Sequence, residues 1–530
     1  MLLYHNLKKK YKKLLENIIF YQIQNYIYPF FFIYDILEND VVSKFLNMCS
    51  RGEFVNKRDF PKIHFYDQDF VDIYDKTWNW LSDFWIDPKT GGKSIDGYFF
   101  NTGNDQYFLD QFESIFSSFF LVYSNRNYPA NQNLDYFYSH QEENGAIRWQ
   151  YDLKTGKPIF TKENPEGIGF PLFAWAEYNL YHKSANKKRI KEVMPILQKY
   201  MDWIDATFKC ENGLYKVPYQ SSTMFNSPRD GACYPIDFNS AMAINALYMS
   251  ALGDILNDKD LIFQYKRMYF SLKTRISSKM WDSETGFYYD IDENENQLSV
   301  KTIAGFWPLL AEIPNEDKAD MLISHLSNPE TFGTEHPFPT LSMDDPNFSP
   351  DGNGFCGSVY PAFNFMVLKG LERYQHWDFA RESAIRHLYF LLDGMFPGDS
   401  KVKGDLYEAY LPGKEGKAKI EGREDWPRMR YVNTAGLSTI ALMIENVIGL
   451  SISLPRKTVD WIIPNLEIMG IENLSLQRNL ITILSNKSLT GWEIQMESEK
   501  LYYFTINILG QKKKTLPMPS GKCSMFIDKI

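Results

Sequence analysis

Twelve stretches with helical apolar spacing run from about Asp69 to Gly449, and the gaps between them alternate between very short and very long. After the even-numbered stretches the connections are tiny: residues 127–130, 185–186, 257–259, 314–315 and the single His376. After the odd-numbered ones they are long: residues 87–109, 142–169, 208–236, 282–302, 329–361 and 396–431. Connections beyond about 12–15 residues are uncommon in compact domains and are usually functional. In an antiparallel array whose every second loop is long, the long loops all emerge on one face. Six helical hairpins with one loop-rich face predict a mainly α fold, an (α/α)6 toroid of two concentric helical rings with a site at one end.

The helices divide into two kinds in the same alternation. Ile190, Val193, Met194, Leu197, Met201 and Ile204 form one apolar stripe, with Lys191, Glu192, Lys199 and Asp202 on the opposite face. Leu261, Tyr265, Met268, Leu272 and Ile276 repeat that spacing in the next odd stretch. One-sided helices belong to the outer ring. Residues 242–252, 362–368 and 434–444, in even stretches, are apolar nearly all round, so they are expected inside. Long loops then always lead into the start of an inner helix, and the positive ends of the inner helices ring the loop face. Tetratricopeptide-like solenoids share the short turns but show a fixed repeat period and no such long loops.

At 530 residues the chain allows one large domain with appendages. A helical extension is expected over residues 1–60, the helical domain over 61–450 and a β-rich segment over 451–530. Residues 8–13 are basic and precede an apolar run over 18–37, but Gln22, Gln24, Asn25 and Asp35 interrupt it. That pattern reads as a peripheral helix, not a clean signal peptide or membrane span, and leaves secretion open. Beyond Gly449, residues 458–463, 480–484, 492–496 and 501–509 alternate or are β-branched and predict strands. Asn486-Lys487-Ser488 matches a glycosylation sequon, meaningful only in a secreted chain.

Net charge is −9 and the pI about 5.6, with no basic stripe, which argues against nucleic acid as the main partner. The five cysteines are scattered without Cys-x-x-Cys spacing. They read as free thiols of a reducing, cytoplasmic compartment, and neither a metal nor another cofactor is expected.

The long loops carry three notable runs. Residues 406–412 place Glu408 among aromatics, residues 354–364 run Gly-Phe-Cys-Gly-Ser-Val-Tyr-Pro-Ala-Phe-Asn, and residues 224–237 hold Phe225, Arg229, Asp230 and Asp237. Aromatics make up 16 % of the chain, with 12 Trp and 34 Tyr. Aromatic faces beside a carboxylate suit a sugar, although large aromatics also fill cores.

Four further runs carry a family resemblance. They are Trp281-Asp282-Ser283-Glu284-Thr285-Gly286-Phe287-Tyr288-Tyr289-Asp290, then Lys301-Thr302-Ile303-Ala304-Gly305-Phe306-Trp307-Pro308-Leu309-Leu310, then Phe332-Gly333-Thr334 with Pro339-Thr340-Leu341, then Asp344-Asp345-Pro346. In this order the chain resembles glycoside hydrolase family 63, and within it the mannosylglycerate and glucosylglycerate hydrolases, over about residues 87–450. The resemblance supports a six-hairpin glycosidase toroid and implies inverting hydrolysis of a small α-linked glucoside or mannoside. Terpene cyclases and prenyltransferases can also be toroidal, but Asp344-Asp345-Pro346 is no Asp-rich helical motif and no zinc ligand set is apparent in the sequence, which sets them aside.

Inversion uses two carboxyl groups, one protonating the leaving oxygen and one activating water. The family's base lies in a loop that matches Tyr407-Glu408-Ala409-Tyr410, which makes Glu408 the base candidate. Where relatives carry an acidic residue before Asn-Ser-Pro-Arg, this chain has Phe225, which cannot donate a proton. Asp230, five residues on, is the candidate to replace it, while Asp237 is expected to cap the following helix. Cys356 stands where relatives tend to carry a substrate-holding arginine, and Glu113 where they carry a sugar-holding aspartate. Gln141, Arg148 and Trp307 match pocket positions. Phe225, Arg229, Phe355, Tyr360, Tyr407 and Tyr410, in the same loops, complete the expected substrate-binding set. Three readings follow: an active inverting glycosidase, a catalytically impaired sugar-binding protein, and a helical scaffold for protein partners.

Overall fold

The computed structural model describes residues 60–86, 99–100, 108–153, 155–160, 165–218, 224–396, 404–463, 468–477, 479–487, 489–499, 503–509 and 513–528. Contacts divide the chain into two compact units, Met1–Asn56 and Lys57–Ile530. Every described residue belongs to the second, so the expected N-terminal extension lies outside the described residues.

Among the described residues, twelve α-helices precede a run of strands. They are α1 (Gln68–Leu81), α2 (Gln111–Leu121), α3 (Gln132–Ser139), α4 (Phe173–Ser184), α5 (Lys187–Phe208) and α6 (Ile236–Leu256). Then come α7 (Lys259–Lys279), α8 (Trp307–Leu310), α9 (Glu316–Ser327), α10 (Pro361–Arg373), α11 (Trp377–Met395) and α12 (Val432–Thr434). A 3-10 turn, Ile303–Phe306, leads into the short α8. The last helix widens into a π-helix over Ala435–Val447.

The short connections have a common construction. One residue enters the left-handed region and ends a helix: Ala185 (φ 53°), Asn257 (φ 59°), Glu312 (φ 53°) or Gln375 (φ 62°). At three of these turns an Asn or Asp then caps the next helix: Asn186 accepts from Arg189 N–H, Asp258 from Leu261 N–H and Asn315 from Lys318 N–H. Helices α4, α6, α10 and α12 instead begin behind Leu172, Pro235, Tyr360 and Tyr431, none of which supplies a side-chain cap. Their amide-bearing ends therefore face the long loops without a local cap.

Burial follows the sequence pattern with one shift. In α5 the buried face carries Ile190, Val193, Met194, Leu197, Met201 and Ile204. In α7 the buried position is Tyr269, with Met268 only half-buried. The Tyr269 hydroxyl donates to the carbonyls of Ala311 and Glu312, which satisfies it inside.

The even helices touch one another in a circuit: α2 with α4, α4 with α6, α6 with α8, α8 with α10, α10 with α12, and α12 with α2. Glycines permit two of these approaches. A Cβ on Gly370 of α10 would lie 2.9 Å from Leu309 Cβ of α8, and one on Gly436 of the π-helix 2.3 Å from the Phe120 ring of α2.

Two sheets follow. A five-stranded antiparallel sheet orders Lys62–His64, Met469–Leu476, Asn479–Lys487, Gly491–Ser498 and Gly521–Asp528. A four-stranded sheet orders Lys514–Met518, Phe504–Ile508, Thr458–Trp461 and Leu450–Ser453, with its middle pair parallel. Strand Lys62–His64, from before α1, pairs in register with Glu472, Ile471 and Gly470, which stitches the start of the helical region to the far end of the chain. Among the described residues no helix is long and apolar enough to cross a membrane, and Cys210, Cys233, Cys356 and Cys523 are unpaired.

Gly436→Ala tests the closing contact of the helical circuit. Helix propensity alone favours Ala by about 1 kcal/mol, whereas overpacking against Phe120 costs about 1–3 kcal/mol. We expect a lower melting temperature by calorimetry; a raised one would contradict the packing of the π-helix on α2.

Candidate active site

Glu408 sits on an extended segment hydrogen-bonded on both sides. Its N–H donates to Arg428 O at 2.9 Å, and Tyr431 N–H donates to Leu406 O at 3.0 Å. On the other side Tyr410 and Val359 exchange both backbone bonds, at 2.9 and 3.0 Å. A residue fixed on paired backbone is held more firmly than one on a free loop.

Its carboxylate meets Arg428. The guanidinium donates from Nε to Glu408 Oε2 (3.0 Å) and from Nη2 to Oε1 (2.9 Å), and the Arg428 N–H reaches Oε2 at 3.2 Å. The same Nη2 also donates to Glu113 Oε1 at 2.6 Å. Glu113 stands in the first turn of α2 and accepts a further bond from the Tyr431 hydroxyl, 2.7 Å. The Arg428 guanidinium lies over the Tyr431 ring, 4.5 Å from its centroid. Burial works against the Arg428 charge, but Glu113 and Glu408 outweigh it and hold the guanidinium above its usual range. The Tyr431 hydroxyl is raised by burial and then by Glu113.

Beneath Glu113, Asp110 caps α2. Its Oδ1 accepts Glu113 N–H at 3.0 Å and its Oδ2 accepts Gln150 Nε2 at 2.9 Å. Burial, and then the neighbouring Glu113 carboxylate, push Asp110 up to about 7.

An aromatic wall joins Glu408 to the Phe225 loop. Burial, followed by the Glu408 charge, raises the Tyr360 hydroxyl. Phe355 stacks on Tyr360 at 4.3 Å, and Phe225, 41 % exposed, meets Phe355 edge-on at 5.3 Å. Tyr360 also packs on Phe363, and Phe363 on Trp307 at 5.8 Å. Trp307 is 1 % exposed, packs on Phe170 at 4.6 Å, and its indole N–H has no hydrogen-bond partner among the described residues.

Asn226 ties this loop to the next one. It donates to Asn353 O at 2.8 Å, accepts Phe355 N–H at 2.8 Å, and its carbonyl accepts the Cys356 thiol at 3.1 Å. Cys356, at the position where the family resemblance implies a substrate-holding arginine, thus fastens two loops.

Arg229 is 2 % exposed and grips Asp290 through Nε (2.6 Å) and Nη2 (2.7 Å), and Asp237 through Nη1 (2.7 Å) and Nη2 (3.1 Å). Asp237 is not the helix cap expected from sequence. Pro235 precedes α6 and Asp290 accepts the Ile236 N–H, while Asp237, inside the first turn, accepts only the adjacent Phe238 N–H at 2.8 Å and pairs with Arg229. Asp230, one residue beyond Arg229, is exposed.

The remaining expected residues lie in other clusters. Gln141 donates to the carbonyls of Gly145 and Ile196, and Arg148 to both oxygens of Glu142 while packing over Phe160 and Trp203. Tyr410 is fully buried against His336, and its hydroxyl oxygen accepts the Tyr407 N–H at 2.9 Å. Tyr407 is half-buried beside it. Sequence reasoning missed Arg428, Tyr431 and Asp110. The one available signal was that residues 426–431 form the return limb of the longest loop. Among the described residues no group of three or more His, Cys, Asp or Glu is placed to hold a metal ion.

A family model, the mannosylglycerate hydrolase MGH1-like glycoside hydrolase domain, matches residues 121–413, a stretch that includes Glu408 and begins after Glu113. The chain belongs to that glycoside hydrolase family. Residues 449–530 match the trehalase C-terminal domain. An uncharacterized protein of Borreliella burgdorferi is 54 % identical over 479 residues, 90 % of this chain and 100 % of that protein. A cytosolic neutral trehalase of Kluyveromyces lactis is 31 % identical over 275 residues, 45 % of this chain and 34 % of the trehalase. The fold is shared with a crystal structure of the family 63 mannosylglycerate hydrolase of Thermus thermophilus in complex with glucose. The TM-score is 0.56 at 18 % identity, over 69 % of this chain and 99 % of that one.

The Asp110 carboxyl gives a pH signature. A group whose pKa is raised on folding adds stability below its unfolded value, about 4, and that stability is lost as pH rises through about 7. Asn also caps helices well, so Asp110→Asn should gain on wild type between pH 5 and pH 8 in urea denaturation. An unchanged difference across that range would contradict the buried, proton-retaining Asp110.

Proposed function

We propose that the chain hydrolyses a small α-linked glucoside or mannoside with inversion, from the loop face of an (α/α)6 toroid. The observation that carries this reading is the meeting of Glu408 and Glu113 on one guanidinium beside an aromatic wall, in a chain of the MGH1-like family. The circuit of even helices supports the toroid. In this reading Glu408 is the base, Glu113 holds sugar hydroxyls, and Tyr360, Phe355 and Phe225 offer apolar faces. Asp230 supplies the leaving-group proton from an exposed turn anchored by Arg229. The proposed division of the chain at residues 60 and 450, and a cytoplasmic location for a chain with unpaired cysteines, belong to the same reading.

Two observations favour a second reading, a sugar-binding protein of weakened catalysis. Phe225 occupies the expected acid position, and Arg428 already engages both oxygens of Glu408, where a water proton would have to be accepted.

Sugar release from mannosylglycerate, glucosylglycerate, trehalose and short α-glucans separates the two. We expect turnover by wild type and a loss of about 100- to 10,000-fold in Glu408→Gln. Turnover by Phe225→Asp alone would establish the second reading. Undiminished activity in Glu408→Gln would overturn Glu408 as base.

A further inference from the structure

The residues around Glu408 gather where the even helices begin. A chamber of about 430 Å³ opens toward the other ends of several of the same helices, and the strands after Gly449 help to line it. It shares no lining residue with the candidate active site. Between the two lies a packed aromatic layer: Phe112 meets Phe116 at 4.4 Å, Phe116 meets Trp175 at 6.0 Å and Phe119 meets Trp175 at 4.4 Å.

The chamber is charged, with four Lys and Arg against three Asp and Glu in its lining. Most of these charges are already matched. Lys369 donates to Glu372 at 2.7 Å and to Asn446 at 3.0 Å, and pairs with Glu445 at 2.9 Å. The other Glu445 oxygen takes the Tyr123 hydroxyl. Arg373 pairs with Glu312, outside the chamber, at 3.2 Å. His182 accepts or donates at Ser453 Oγ, 2.7 Å, and burial lowers it to about 4, so it adds no charge near neutrality.

Lys183 is the exception. It is 5 % exposed, near the end of α4, and its ammonium lies over the Tyr123 ring, 5.2 Å from the centroid. Among the described residues the ammonium has neither a hydrogen-bond nor an ion-pair partner. Burial pushes it below the usual lysine range, with Glu445 only partly opposing this. A buried ammonium with unused donors is costly, and an incoming anion relieves that cost. Arg456 stands at the rim, exposed, with a single long bond to the Tyr178 hydroxyl, 3.3 Å. Both underused groups are cationic donors, so the missing partner is an acceptor that carries negative charge.

We propose that this chamber is a second binding site, for a small oxyanion of monosaccharide size, a carboxylate or a phosphate ester, whose oxygens take Lys183 and Arg456. Its volume falls in the range of small-molecule pockets, and the Trp175 and Tyr248 rings, 6.4 Å apart, give the carbon frame an apolar surface. The site is independent of the reaction proposed at Glu408 and survives even if that reaction is disproved.

Calorimetric titration of the full-length protein with inorganic phosphate, glucose 6-phosphate and D-glycerate tests it. Wild type should bind at least one of the three; a response to the two phosphates identifies a phosphate site, and a response to glycerate alone a carboxylate site. Lys183→Met should weaken that binding about tenfold or more, and Arg456→Gln should weaken it less. Arg456 is exposed, so the second variant decides the matter if the first does not fold. Silence from all three probes, or binding unchanged in the folded variants, overturns the proposal.

Discussion

The guanidinium of Arg428 ties the longest loop to the start of α2, with the Tyr431 hydroxyl bridging the same two parts of the chain. It grips Glu408 from the same long loop and Glu113 from the first turn of α2, a partner 315 residues earlier. Desolvating three charges is expensive, and such a cluster persists only when geometry and extra hydrogen bonds compensate. Here the compensation is visible: two bonds to Glu408 from the side chain, one from the backbone, one to Glu113, and the Tyr431 ring beneath. Because Tyr431 directly precedes α12, the clamp also bears on how α12 meets α2, the contact that closes the circuit of even helices.

The same arrangement sets the direction of Glu408 and places a condition on the proposed chemistry. Glu408 is fixed by backbone pairing and by a fork that occupies both its oxygens, so its direction is well defined. A base must also receive a proton, and in the proposed reaction a substrate hydroxyl or the attacking water competes with Arg428 for one oxygen. Preorganisation of this kind helps a transition state only if the fork yields at the right moment. The aromatic wall from Tyr360 to Phe225 offers apolar contact where the family resemblance implies a proton donor, and in the proposed reading the acid role falls to Asp230, exposed in the same loop.

Much of the helical architecture was legible because loop length and apolar periodicity are local properties. The turns built on Ala185, Asn257 and Gln375 are short for a reason visible in the chain, since one left-handed residue is enough to reverse direction. The family motifs were legible too, but the structure uses several of them as framework. Asp290, ending the Trp281 run, anchors Arg229, and Asp344 pairs with Lys301 at 2.6 Å. What the sequence did not expose were long-range electrostatic partners. Nothing near Arg428 signals Glu113, and nothing in Asn-Ser-Pro-Arg signals that Asp237 and Asp290 bury the arginine. Strand Lys62–His64 escaped for the same reason, since its partner lies some 400 positions away.

The most direct test of the catalytic account is the anomer that wild type releases first from glucosylglycerate, observed by proton NMR before mutarotation. Inversion at an α-linkage, with Glu408 directing water to the opposite face, predicts β-glucose as the first product. Appearance of α-glucose first would contradict inversion and the role assigned to Glu408.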